Sequence, residues 1–163
     1  MFTKRRVTAD ADHFSLKWAP VLLRFFQLFV GNQSVAETLT IDTLAEYVRT
    51  ASTRIDDQTG VLLLRRAVMN GIIAPSDPTC TDPLVRATTQ LGPMERAAVV
   101  LHRGLSFGIE KTAEILKVHP SEGRRLCVSG LSELSRLLSR GEMKGPHTSP
   151  LQNPICNSKE WSK

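Results

Sequence analysis

Trp18, Leu22, Phe25 and Phe29 recur at spacings of three or four, which places them on one face of a helix over His13 to Val30. Pro20 falls inside this stretch, where it either starts a new helix or kinks a longer one. Gly31-Asn32 is a helix-ending pair. Ser34 is read as the next N-cap, with Glu37 three residues on to complete a capping box, and Val35, Leu39, Ile41, Leu44, Tyr47 and Val48 carry that helix to about Thr50. Thr53 to Gly60 is polar and holds Asp56, Asp57 and Gly60, the composition of a loop. Val61 to Ile73 predicts a third helix, with Arg65-Arg66 on its exposed side. Residues Met1 to Asp12 are polar and charged and read as a loose arm.

Ala74 to Pro83 contains three prolines with Ser, Thr and Asp between them, the strongest linker composition in the chain. A domain boundary is expected there. Asp82-Pro83 then has the form of an N-cap followed by proline at the first helical position. Short helices follow over Leu84 to Thr89 and from Pro93 to about Leu101. After a joint at Gly104 to Gly108, another runs from Ile109 to Leu116. Lys117-Val118-His119 is a tight link, and Pro120 opens the last helix. On it, Cys127, Leu131, Leu134 and Leu138 form a continuous apolar stripe. Beyond Arg140 the chain has Gly, Pro, Ser and Asn without a period and reads as a disordered tail.

Composition sharpens this picture. Hydrophobic residues make up 41% and aromatic residues 6%, with Leu, Val, Ile and Ala supplying most of the apolar content. That mix suits small helical bundles better than sheets. The most apolar run, Ala19 to Val30, carries Arg24 and Gln27 and falls short of the roughly 20 residues a membrane span needs. No cleavage site follows it, so neither a membrane helix nor a signal peptide is expected. Cys80, Cys127 and Cys156 lack the spacing of a zinc site or a disulfide framework, which implies reduced thiols in a cytoplasm. No nucleophile–base pair, phosphate-binding glycine loop or paired-carboxylate motif is present. The reading is therefore of a non-enzyme without cofactor or metal. The formal charge of +5 is compatible with nucleic acid. His102 and His119 are read as surface or capping residues, and the Trp18–Phe29 aromatics as core.

Glu110 to Leu138 has the form of a helix-turn-helix: a short helix, a three-residue turn and a longer helix free to enter a major groove. Ser121, Glu122, Arg124, Arg125, Val128 and Ser129 lie off the leucine stripe and are the candidate DNA-binding residues. Arginine reads guanine edges or holds phosphates, and serine reaches either.

Leu91, Pro93, Glu95-Arg96, the apolar Ala97 to Leu101, and Ala113-Glu114-Ile115-Leu116 resemble region 4 of the extracytoplasmic-function sigma factors of bacterial RNA polymerase. Leu22-Leu23-Arg24, Val30-Gly31-Asn32 and Ala36-Glu37-Thr38-Leu39 resemble region 2 of the same family more weakly. Ile41 stands where the family has Gln and Thr38 where it has Asp. The segment from Gly60 to Ile73, which corresponds to the promoter-melting element, lacks the usual aromatic. Gly123 and Gly130 lie inside the recognition helix, each at a cost of about 1 kcal/mol relative to alanine.

The resemblance implies an all-α protein of two small helical domains. Residues 13–74 would form a region 2-like bundle, 75–82 a linker, and 83–140 a region 4-like DNA-binding domain, flanked by the arm at 1–12 and the tail at 141–163. It implies that Glu37, Thr38, Ile41, Asp42 and Glu46 dock on core RNA polymerase, and that the partners are promoter DNA, the polymerase and an anti-sigma protein. The worn region 2 positions keep two alternatives open: a degenerate sigma-like protein that only binds a partner, and a stand-alone helix-turn-helix regulator.

Overall fold

A computed structural model describes residues 3–50, 57–77 and 80–142. The fold is all-helical, with no strand among these residues. Seven α-helices follow in order: α1 (Thr3–Val30), α2 (Gln33–Thr50), α3 (Asp57–Ile73), α4 (Pro83–Thr89), α5 (Pro93–Val99), α6 (Ile109–Leu116) and α7 (Pro120–Glu142). A π-helical turn, Val100–Gly104, continues α5. No helix among the described residues is long and apolar enough to cross a membrane.

Three N-terminal boundaries differ from the sequence reading. The first helix begins at Thr3, so the backbone of the expected arm is helical from that residue on, and Pro20 is internal to a single helix. Proline at 20 has no N–H to bond the carbonyl of Leu16. Both residues face solvent, with Leu16 77% exposed, so the lost bond lies on the solvent side of the helix. The N-cap of α2 is Asn32, not Ser34: its Oδ1 accepts the Val35 N–H at 3.1 Å, which leaves the expected Ser34–Glu37 capping box unused. The third helix starts at Asp57 rather than Val61, because Thr59 and Val61 are both buried. The rest of the expected loop, residues 53–56, lies outside the described residues, as does the tail beyond Glu142. At the other joints the expected chemistry is present. Gly31 ends α1 at φ +78°, and Asp82 accepts the N–H groups of Leu84 and Val85 ahead of Pro83.

The hydrophobic core does not divide at the proline-rich segment. Phe25, Phe26 and Phe29 of α1 and Leu63, Leu64 and Ala67 of α3 share one buried cluster with Ala97, Ala98, Leu101, Ile115, Leu116 and Leu126 from the second half. Each large apolar side chain so buried contributes about 1.5–3 kcal/mol before the entropy of ordering is subtracted. A smaller cluster of Ala87, Leu91, Val99 and Leu134 binds α7 to α4 and α5, with Leu131 and Leu138 packed against it.

Three arginines stitch the halves through backbone carbonyls. Arg96 is buried, lies 5.2 Å over the Phe29 ring and donates to Phe29 O, Leu91 O, Thr89 O and Ser76 Oγ. It thereby ties the end of α1, the proline-rich segment and the α4–α5 turn to one planar group, a geometry lysine cannot copy. Arg65, expected exposed, is half-buried and donates to Glu114 O at 2.6 Å and Ile115 O at 3.2 Å. Those are carbonyls at the C-terminal end of α6, where positive charge is favourable. Arg24 Nε donates to Gly104 O at 3.0 Å.

Candidate nucleic-acid interface

Helix α6, its turn and the start of α7 fall where the sequence places them, while α7 continues past the expected end at Arg140 to Glu142. Lys117 closes α6 in the left-handed conformation, at φ 56° and ψ 39°. The Val118 N–H then reaches Ala113 O at 3.0 Å and the Lys117 N–H reaches Glu114 O at 3.2 Å. This is the pair of bonds by which helices turn off through a residue that is usually glycine. His119 follows as the cap of α7. Its Nδ1 lies 3.3 Å from the Ser121 backbone N, from which it accepts, and 2.8 Å from the Ser121 hydroxyl, so the histidine is spent on capping.

The two glycines inside α7 are contact points. A Cβ at Gly123 would lie 2.6 Å from Ala113 Cβ and 3.2 Å from Ala113 Cα on α6. One at Gly130 would lie 2.6 Å from a Val99 methyl and 3.2 Å from Glu95 O on α5. The propensity cost assigned to these glycines is what lets α7 approach both neighbours closely. With α7 seated this way its apolar stripe is covered. Cys127 is 1% exposed, and burial pushes its thiol above the ordinary cysteine value.

The outward face of α7 carries Ser121, the adjacent Arg124 and Arg125, and Val128, all exposed. Among the described residues Arg124 has no carboxylate partner. Arg125 is paired through Nε and Nη2 with the carboxylate of Glu122, at 2.8 and 2.6 Å. That guanidinium holds Glu122 below the usual glutamate range, so it remains ionised at neutral pH. Val128 is 62% exposed, an apolar surface of the kind that packs on a thymine methyl.

Two of the six expected contacts therefore act differently. Glu122 is the counter-ion of Arg125. Ser129 is turned toward α5, donating to Glu95 Oε1 at 2.5 Å. Lys117 was not singled out as a site residue. It is exposed beside the start of α7 and adds a cation to this face; its signal in the sequence was its position at the end of Ala113–Leu116, where a glycine is usual.

On the opposite half, Glu37, Thr38, Ile41 and Asp42 lie on the exposed face of α2, with Ile41 66% exposed. Glu46 is partly covered and paired with Arg66 of α3. Thr38 and Asp42 border a groove of about 630 Å³ whose other wall is Asn70, Ile73, Ala74 and Pro75. Ile73, 79% exposed, and Met69, 58% exposed, extend the apolar surface onto α3. The sequence pattern assigned α2 an outer face but could not show that α3 contributes to the same one. No known protein family and no curated protein matches this chain.

Proposed function

We propose that this protein is a sigma-like transcription initiation factor: it binds promoter DNA through α7 and core RNA polymerase through the outer face of α2. The observation that carries the DNA-binding part is the exposed set Arg124, Arg125, Val128 and Lys117 on a helix-turn-helix whose apolar face packs into the core through Ala113, Ile115, Leu126 and Cys127. Phosphate contacts by these cations would supply much of the affinity, which should then fall steeply with salt. Arg124 and Arg125 would position the helix or read guanine edges. The polymerase part rests on the resemblance to region 2 and gains from the solvent-exposed Ile41 on α2, an apolar side chain beside the exposed Glu37, Thr38 and Asp42. The mechanism is binding, not catalysis.

The test is co-purification with bacterial core RNA polymerase, with Ile41→Lys as control, together with promoter binding by an Arg124→Ala/Arg125→Ala variant. Polymerase capture that Ile41→Lys loses, and specific DNA binding that the double variant loses with its helicity intact, are the expected results. Unchanged DNA binding by the double variant would remove α7 as the recognition helix. A second reading is favoured by the shared core, in which α1 and α3 brace the helix-turn-helix: a stand-alone regulator. It predicts a dimer on a palindromic site and no polymerase capture.

A further inference from the structure

A second concavity lies away from both surfaces, where α1 meets the joint leading into α6. Its volume is about 560 Å³, and Lys17, Trp18 and Arg24 face Gly104, Ser106 and Phe107 across it. Pockets that take small molecules span roughly 300–1,000 Å³ and combine apolar walls with a few convergent polar groups. Here the walls are the half-buried Trp18 and Phe107 rings. The polar groups are two cations of one sign. Among the described residues neither Lys17 nor Arg24 has a carboxylate partner. Lys17 Nζ lies 5.7 Å from the Trp18 ring centre. Arg24 uses Nε on Gly104 O, and this leaves its two terminal nitrogens for a further acceptor.

The backbone of the joint is unusual in the same place. The π-helical turn ends at Gly104, and π turns gather at functional sites. Two residues on, Ser106 holds φ +60°, a conformation that costs a side-chain-bearing residue about 1 kcal/mol or more. The strain is fixed by Leu105 N–H on Val100 O at 2.9 Å, Phe107 N–H on Leu101 O at 3.1 Å and the His102 ring nitrogen against Phe107 O at 2.7 Å. The result places the exposed Ser106 hydroxyl, with no hydrogen-bond partner among the described residues, at the cleft's edge.

We propose that this cleft is a binding site for a small aromatic carboxylate. The carboxylate sits between Lys17 and the terminal nitrogens of Arg24 and accepts from the Ser106 hydroxyl, and the ring packs against Trp18 and Phe107. A ligand so held bridges α1 to the segment that sets the start of α6, so it also stabilises the seam between the two halves. This proposal is independent of the sigma-like reading and stands or falls without polymerase or DNA.

The test uses the full chain with Trp161→Phe, which leaves Trp18 as the single tryptophan. Benzoate, phenylacetate and 3-phenylpropionate are titrated while Trp18 fluorescence is followed, with 3-phenylpropionamide as the uncharged control. At least one carboxylate should give a saturable change and raise the melting temperature, and the amide should bind about tenfold more weakly, the loss of one charge-assisted contact. Lys17→Gln and Ser106→Gly should each weaken binding several-fold with the melting curve of the free protein not lowered. Glycine suits the positive φ, and Lys17 makes no hydrogen bond among the described residues. Absence of saturation by all three acids up to about 10 mM, equal binding of the amide, or unchanged binding by Lys17→Gln would each overturn the proposal.

Discussion

Lys117 holds opposed demands in one side chain. At φ 56° it occupies a conformation that glycine adopts without penalty and that costs other residues about 1 kcal/mol. Its ammonium meanwhile stands beside the outward face of α7. Lys117→Gly should raise stability by about 0.5–1 kcal/mol and weaken DNA binding with a shallower salt dependence, by roughly one phosphate contact. Denaturant titration and binding at two salt concentrations measure the two effects separately. If stability and affinity fell together, the strain argument would be wrong. At this scale the sequence was partly legible. Asp82, Gly31 and Pro120 announced their roles because caps and breakers act within a few residues. Gly123 and Gly130 read as local weaknesses, because the benefit of a missing Cβ is decided by Ala113, Val99 and Glu95, which no pattern around the glycines reveals.

Among elements, α6 and α7 were the most readable, since their periodicity, proline start and tight link all agree. The starts of α1 and α3 were not. Their first turns are polar or glycine-containing and are helical because of what the rest of the helix packs against, and tertiary packing commonly overrides local propensity in this way. The exposed face of α7 was legible but not its internal pairing: Glu122, expected among the DNA contacts, is paired with Arg125. A carboxylate on a face that meets phosphates is repulsive, and here it also competes with DNA for an arginine. Glu122→Gln should therefore tighten non-specific DNA binding several-fold at low salt, with a smaller gain at high salt. Electrophoretic shifts on unrelated duplexes would show it. Weaker binding by Glu122→Gln would mean that the pair orients Arg125 for DNA rather than withholding it.

For the whole molecule, the proline-rich stretch at 74–83 predicted a boundary between two domains, yet α1 and α3 bury their apolar faces against elements on its far side. Helical periodicity tells which face of each helix must be covered and is silent on which partner covers it. Among its described residues the stretch up to Asp82 is irregular chain. Arg96 is bonded at once to Phe29, Ser76, Thr89 and Leu91 on both sides of it. Scanning calorimetry separates the possibilities. One cooperative unit of this length should unfold with an enthalpy on the order of 100 kcal/mol, equal to its van't Hoff value. Two independent halves would give a van't Hoff enthalpy about half the calorimetric one. We expect a single transition, and expect a fragment starting at Pro83 to melt far lower than the full chain, because Ala98, Leu101 and Ile115 lose the α1 and α3 residues that share their buried cluster. A fragment as stable as the parent would restore two domains, and with them the freedom of the proposed polymerase and DNA surfaces on α2 and α7 to separate. One rigid unit instead fixes the distance between those surfaces, so that any partner gripping both must present its own sites at that same spacing.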